Sequence, residues 1–282
     1  MKTERRTFLA GLGACLLAAA LPARATGDLE LAQPGRLRIA VYNDLPPYSD
    51  KGRGIDVAIG EALATRLGLG AEIVGFKADD DMNDDLRNMV WKGHYLGTRP
   101  ADVMLHVPAD PYLAEQNRQV RIFAPYHVET VAVIRNPARV PAMMGSAAKA
   151  LEVFTREKIG VETRSLPDTF LLSVLNGRLR ENVVHFGSVA EAMAALKRGD
   201  IAAVMASRAE IEASRGDLTA FPLEPVAMPE LRIASWPLGM AVKADHPALA
   251  DALQTALADL RRDGTLAGIF ARHGVTHLAP KE

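Results

Sequence analysis

The run Leu37-Arg-Ile-Ala-Val41 ends in a Pro46-Pro47 turn. Behind that turn, residues 56–67 repeat their apolar side chains at helical spacing until Gly68 stops them. A second apolar run, 71–76, follows at once. A strand, an amphipathic helix and another strand in this order leave few folding options, because the helix has to cross over and lay the second strand parallel to the first. The pattern continues with a helix expected over 84–93 and a strand over 102–107, apolar throughout as a strand buried on both faces should be. After a loop at 108–121, a β-branched strand is expected over 129–134, stopped by Asn136-Pro137.

A second unit of the same kind comes next. Helices are expected over 147–155, 166–175, 188–198 and 210–215, with strands over 158–163, 183–186 and 202–206. Ser165 and Ser188 stand at helix starts and Gly199 at a helix end. A late strand over 236–242 and helices over 247–263 and 265–273 close the pattern. The fold class is therefore α/β, and 282 residues suit two domains better than one.

Residues 1–25 stand apart from this pattern. Arg5-Arg6, an apolar run from Leu9 to Leu21 and Ala23-Arg-Ala25 have the three parts of an export signal peptide, and the run is too short to span a bilayer. The paired arginines before Phe8-Leu9 fit a twin-arginine signal, and an ordinary secretory signal fits equally. Cys15 is the sole cysteine, with cleavage after Ala25 preferred over its lipidation, so the mature chain forms no disulfide. Of the 33 basic and 34 acidic residues, four and one lie in this leader, which leaves a mature net charge of −4. No basic patch suggests nucleic acid, and a periplasmic monomer is expected.

Four segments resemble the periplasmic solute-binding proteins of family 3, the polar-amino-acid type. They are Leu45-Pro-Pro-Tyr48; Gly54-Ile-Asp-Val57; Gly187-Ser-Val-Ala-Glu-Ala-Met-Ala-Ala-Leu-Lys-Arg-Gly-Asp-Ile-Ala-Ala-Val-Met205; and Leu238-Gly-Met-Ala-Val-Lys243. The resemblance implies a two-lobed, type II binding-protein fold, each lobe a mostly parallel sheet flanked by helices. Lobe 1 would comprise 36–130 and 234–278, and lobe 2 would comprise 131–233. Strands near 129–134 and 233–240 would form the hinge. It also implies a small-molecule ligand, an ABC-type membrane permease as partner, and no cofactor or catalysis.

In that family an arginine after the third strand grips the ligand's α-carboxylate, and an aspartate in lobe 2 holds the α-ammonium. The corresponding positions here are Gln116 and Ser207, so a standard α-amino acid is a poor candidate. What remains is aromatic and cationic. Tyr42, Asn43, Tyr48 and Tyr126 would form one wall, with Trp91 nearby. Arg87, Arg164 with Ser165 at a helix start, and Arg208 beside Ser207 would favour an anion. The competing reading for each arginine is a solvated helix-end charge, and for Trp91 and Tyr126 it is core packing. His106 and His127 are expected as hydrogen-bond donors to a ligand.

Asp102-Val-Met-Leu-His-Val-Pro108 with Ala124-Pro-Tyr126 is similar to a subgroup associated with quinoprotein (pyrroloquinoline-quinone-dependent) dehydrogenases. That likeness makes pyrroloquinoline quinone a candidate ligand and such a dehydrogenase an alternative docking partner. The fold also resembles a periplasmic dehydratase of the aromatic pathway, although no carboxylate is evident in the expected cleft. The acidic run 79–85 lacks the glycine and the glutamate of a calcium loop, so no metal is expected. Asn83 or Asp84 is expected to cap the next helix.

Overall fold

A computed structural model describes residues 29–281, so the leader lies outside the described residues. β1 (Arg36–Tyr42) leads into a tight hairpin, β2 (Asp44–Leu45) and β3 (Ser49–Asp50), whose turn is the Pro46-Pro47 pair. α1 (Ile55–Leu67) starts directly behind it. Gly54 makes that junction possible: its φ is 134°, and a Cβ there would lie 2.6 Å from the carbonyl carbon of Tyr48.

β4 (Gly70–Phe76), α2 (Met82–Leu86), β5 (Val103–Pro108) and α3 (Pro111–Gln116) complete the first half of lobe 1. β6 (Val120–Arg135) is a single 16-residue strand that carries the chain out of lobe 1 and into lobe 2. There α4 (Ala147–Ala150), β7 (Ile159–Glu162), α5 (Leu166–Ser173), β8 (Val183–Phe186), α6 (Val189–Arg198), β9 (Ala203–Ser207), α7 (Arg208–Ser214) and β10 (Leu223–Pro225) follow. β11 (Ser235–Lys243) returns antiparallel to β6, and α8 (Pro247–Arg262) and α9 (Thr265–Arg272) pack on lobe 1.

The strand order is β4-β1-β5-β11-β6-β9-β7-β8, with β10 on the side of β6, so one sheet runs through both lobes. β4, β1 and β5 are parallel, as are β9, β7 and β8; β6 and β11 are the antiparallel pair between them. Both faces are covered. Val131 and Val133 of β6 face a core with Phe154, Val161 and Met205, and Ala132 and Ile134 face another with Leu196 and Ile211. That two-residue alternation is the strand period seen from both sides.

Four expectations are corrected. The helix expected over 84–93 is a short α-helix continued by a π-helical turn, Arg87–Trp91. Its cap is Asp81 rather than Asn83 or Asp84: the Asp81 carboxylate accepts from Asn83 N at 2.8 Å and Asp84 N at 3.0 Å. The loop at 108–121 contains α3, capped by Asp110 with Pro111 behind it. β6 begins nine residues before the expected strand. Pro125, which cannot donate to a ladder, hides that continuation. The strand tolerates it where Ala124 has a φ of 50° and the β6–β11 register shifts.

The C-terminal segment closes the structure. Val128 N donates to Leu278 O at 2.8 Å, and Thr276 N donates to the Glu212 carboxylate on α7 at 2.6 Å. Residues 276–278 therefore strap β6 to a lobe 2 helix. Beneath the strap, His127 stacks on Phe270 with ring centroids 4.5 Å apart. Among the described residues, no helix is long and apolar enough to cross a membrane.

Candidate functional site

The cleft opens at the carboxyl ends of parallel strands, where open α/β sheets present their loops. Lobe 1 contributes Asp44 and the Pro46-Pro47 turn, which follow β1. Lobe 2 contributes Glu162 at the end of β7, Ser188 at the start of α6, and Glu210 in the first turn of α7. The space between them is about 290 Å³, enough for a small organic molecule. The lining is acidic, with three carboxylates and no basic residue.

Burial pushes the Glu210 carboxyl up to about 7. The Ser207 hydroxyl, donating to it at 2.5 Å, opposes that rise, while Glu162 and Glu129 add to it by repulsion. Burial also raises Glu162, against a hydrogen bond from Val189 N at the α6 N-terminus. Glu162 thus already occupies the positive end of α6. The α6 cap itself is reciprocal: Glu191 N donates to Ser188 Oγ at 3.2 Å, and Gly187 N donates to the Glu191 carboxylate at 3.0 Å.

None of the three arginines expected to receive an anion lines this space. Arg87 is tied to Asp84 and Asn88 of its own helical segment. Arg208 donates to Glu212 at 2.7 Å along α7. Arg164 is exposed, and the helix start beside it is filled from within. Ser165 Oγ accepts from Asp168 N at 3.2 Å, and Asp168, itself 6% exposed, accepts from Arg164 N at 2.7 Å and meets His185 at 3.0 Å. None of the three therefore meets an anion in this space.

The side chains expected as an aromatic wall have other partners. Tyr42, Tyr48 and Tyr126 are buried, and each hydroxyl donates to a buried acid: Asp85 at 2.7 Å, Glu129 at 2.5 Å and Asp56 at 2.6 Å. Burial drives all three phenols well above their ordinary value, so they stay neutral donors. Asn43 is half-buried and packs on Gly75, where any side chain would collide with it. Ser207 is half-buried and serves Glu210. Gln116 and Arg118 are exposed around the end of α3, and Trp91 is half-buried in the π-helical turn against the lobe 1 core.

His106 is held from three sides. Its Nδ1 lies 3.0 Å from Asp56, its backbone N donates to Tyr126 Oη at 3.0 Å, and Tyr48 packs edge-on at 4.4 Å. His127 instead points to the C-terminal strap, accepting from Leu278 N at 3.2 Å, and burial lowers it to about 3. It is a neutral acceptor, not a ligand donor.

Glu162, Glu210 and Asp44 escaped the sequence reading. Their signal was present: each follows the carboxyl end of a strand or sits within three residues of it. After β4, the carboxylates of Asp79, Asp80 and Asp84 approach within 4.8 Å of one another, with Arg87 against Asp84.

Among solved structures, this chain is similar to an ancestral cationic amino acid solute-binding protein, AncCDT-1. The identity is 20% over 85% of this chain and 96% of that one, with a TM-score of 0.64. It is also similar to the GluR0 ligand-binding core in complex with L-glutamate (16%, 85% and 98%, 0.56). A third similarity is to a structure of AncCDT-1 described as a precursor of cyclohexadienyl dehydratase (19%, 85% and 95%, 0.54). The fold is the two-lobed binding-protein fold. No protein-family model matches the sequence, and no curated protein matches it.

Proposed function

We propose that this chain is a periplasmic solute-binding protein that captures a small amino compound, of the cationic amino acid class, and passes it to an ABC-type permease. The observation that carries the reading is the convergence of Glu162 and Glu210 on the lobe 2 side of the cleft, opposite Asp44, while Arg87 and Arg208 pair elsewhere and Arg164 stays outside it. A cleft of that charge favours an ammonium or guanidinium and repels a carboxylate-rich ligand. The similarity to an ancestral cationic amino acid binder points the same way. A ligand touching both lobes would stabilise the closed form through its differential affinity for it.

The test is calorimetric titration of the purified mature protein with L-arginine, L-lysine, L-glutamate and pyrroloquinoline quinone. Binding of a cationic amino acid in preference to the other two is the expected result. Tighter binding of the quinone would overturn the reading and restore a quinoprotein-associated role.

A second reading rests on Glu210 itself. A carboxyl with a pKa of about 7 in a cleft is half-protonated near neutrality, as a general acid–base group for a dehydration requires. The similarity to a dehydratase precursor adds to it. Turnover of prephenate that disappears in Glu210→Gln would favour the enzyme, and no turnover by the wild-type protein would remove it.

A further inference from the structure

The cleft offers a ligand carboxylates from both lobes and, among the described residues, a cation from neither. Asp44 lines it from lobe 1, exposed at the start of β2. Glu162 and Glu210 line it from lobe 2, each half-buried. The charges that act most strongly on Glu210 are Glu162 and Glu129, both of its own sign. Like charges crowded in this way gain from a cation that enters between them.

Donors on the lobe 2 wall are largely engaged already. Val189 N, at the positive end of α6, donates to Glu162. Gly187 N donates to the Glu191 carboxylate at 3.0 Å, and Ser188 Oγ accepts from Glu191 N at 3.2 Å. The Ser207 hydroxyl gives its proton to Glu210 at 2.5 Å. Arg208, on the same helix as Glu210, donates instead to Glu212, and Arg164 stays outside the space. Ser214 adds a neutral hydroxyl, and the rest of the wall is apolar: Leu45, Pro46 and Pro47 on the lobe 1 lip, with Val189 and Ala213 on lobe 2.

We infer that the ligand this cleft fits best is an aliphatic diamine, the decarboxylated form of a cationic amino acid. One cationic end lies on Glu162 and Glu210, the other on Asp44, and the methylene chain lies along the apolar lip. The assignment narrows the solute-binding reading above and rests on it. An amino acid has the same cationic side chain but brings a carboxylate into a space that already holds three. No lining cation counters that charge, so the cleft repels one group of the zwitterion while it attracts the others. A dication has no such conflict. Its two ends engage both lobes, which gives it a higher affinity for the closed form than for the open one.

The test is calorimetric titration of the mature wild-type protein with pairs that differ in the carboxylate: L-lysine against cadaverine, and L-arginine against agmatine. Each amine should bind about tenfold or more tightly than its parent amino acid. Amino acids that bind as tightly as the amines would overturn the inference and leave the solute-binding reading intact. If none of the four binds, both fall. L-lysinamide separates charge from size, because it keeps nearly the bulk of lysine and loses the negative charge. It should follow cadaverine; if it follows lysine, bulk excludes the amino acid and the inference fails.

Asp44→Asn tests the lobe 1 end. Asp44 pairs with Asp50 through its backbone and is exposed, so the hairpin survives the substitution. Cadaverine should weaken about threefold to tenfold and lysine less, which narrows the gap between them. An unchanged gap would show that the second cation is not held by Asp44 and would refute the bridging arrangement.

Discussion

Glu210→Gln removes one ionisable group from the cleft while keeping its size and its partner, the Ser207 hydroxyl. Burial holds this carboxyl at about 7, against an ordinary 4.5 that the unfolded chain would show. Between those two values the folded protein carries a proton that the unfolded chain has lost. Stability is therefore highest below about pH 4.5 for this group and falls as pH rises through 7. A shift of this size corresponds to about 3 kcal/mol. Glu210 keeps an edge in solvent, which brings the expectation to about 2–3 kcal/mol.

The glutamine variant escapes that penalty. Without ligand it should unfold at nearly the wild-type temperature at pH 5 and roughly 5–10 °C higher at pH 8, given the usual conversion for a chain of this length. Its affinity for a cationic amino acid should move the other way, weakening about tenfold to a hundredfold through loss of a charged partner. The assay is thermal unfolding by circular dichroism from pH 5 to 8, paired with calorimetry at pH 8. A variant that gains no stability at pH 8 refutes the buried-charge account. One that gains stability and binds arginine as tightly as wild type refutes the placement of the cation on Glu210.

Tyr48→Phe leaves Glu129 buried without its 2.5 Å donor and should cost about 1–3 kcal/mol in urea unfolding; an unchanged midpoint would mean that solvent reaches Glu129. Arg164→Ala and Arg87→Ala should leave the affinity for L-arginine within about twofold in the same calorimetry, since neither side chain lines the cleft, and a larger loss would reinstate the cationic cleft. Ending the chain after Gly274 removes the strap on Val128 and Glu212, and hydrogen exchange at Val128 should then rise about tenfold or more, whereas unchanged exchange would mean that β6 holds itself.

Much of the architecture was legible because it depends on pattern. The apolar periods of β1, α1, β5 and α6 and the caps at Ser165, Ser188 and Gly199 all read correctly, each being decided by near neighbours in sequence. The failures have a common cause. Asp81 outcompetes Asn83 and Asp84 as a cap, and Pro125 sits inside a strand at a bulge; both depend on backbone geometry that the sequence does not display. The cleft misled in the same way. An arginine near a strand end looks like an anion anchor until its partner is known, and Asp84 and Glu212, the partners of Arg87 and Arg208, lie one turn away on the same helical segments. Glu162 and Glu210 went unmarked because no periodicity signals a carboxylate that faces another lobe.

The path of the chain through the sheet has a consequence for synthesis. β5 ends at Pro108, but its second neighbour, β11, begins only at Ser235. At ribosomal rates of about 5–20 residues per second, β5 waits roughly 6–25 s with one edge bare. In that interval every strand and helix of lobe 2 emerges, so the later lobe can complete its core first. An unpaired edge of this kind invites pairing with other chains. The nascent protein is thus most vulnerable in its earliest-made half, and it remains so until β11, made after lobe 2, is in place.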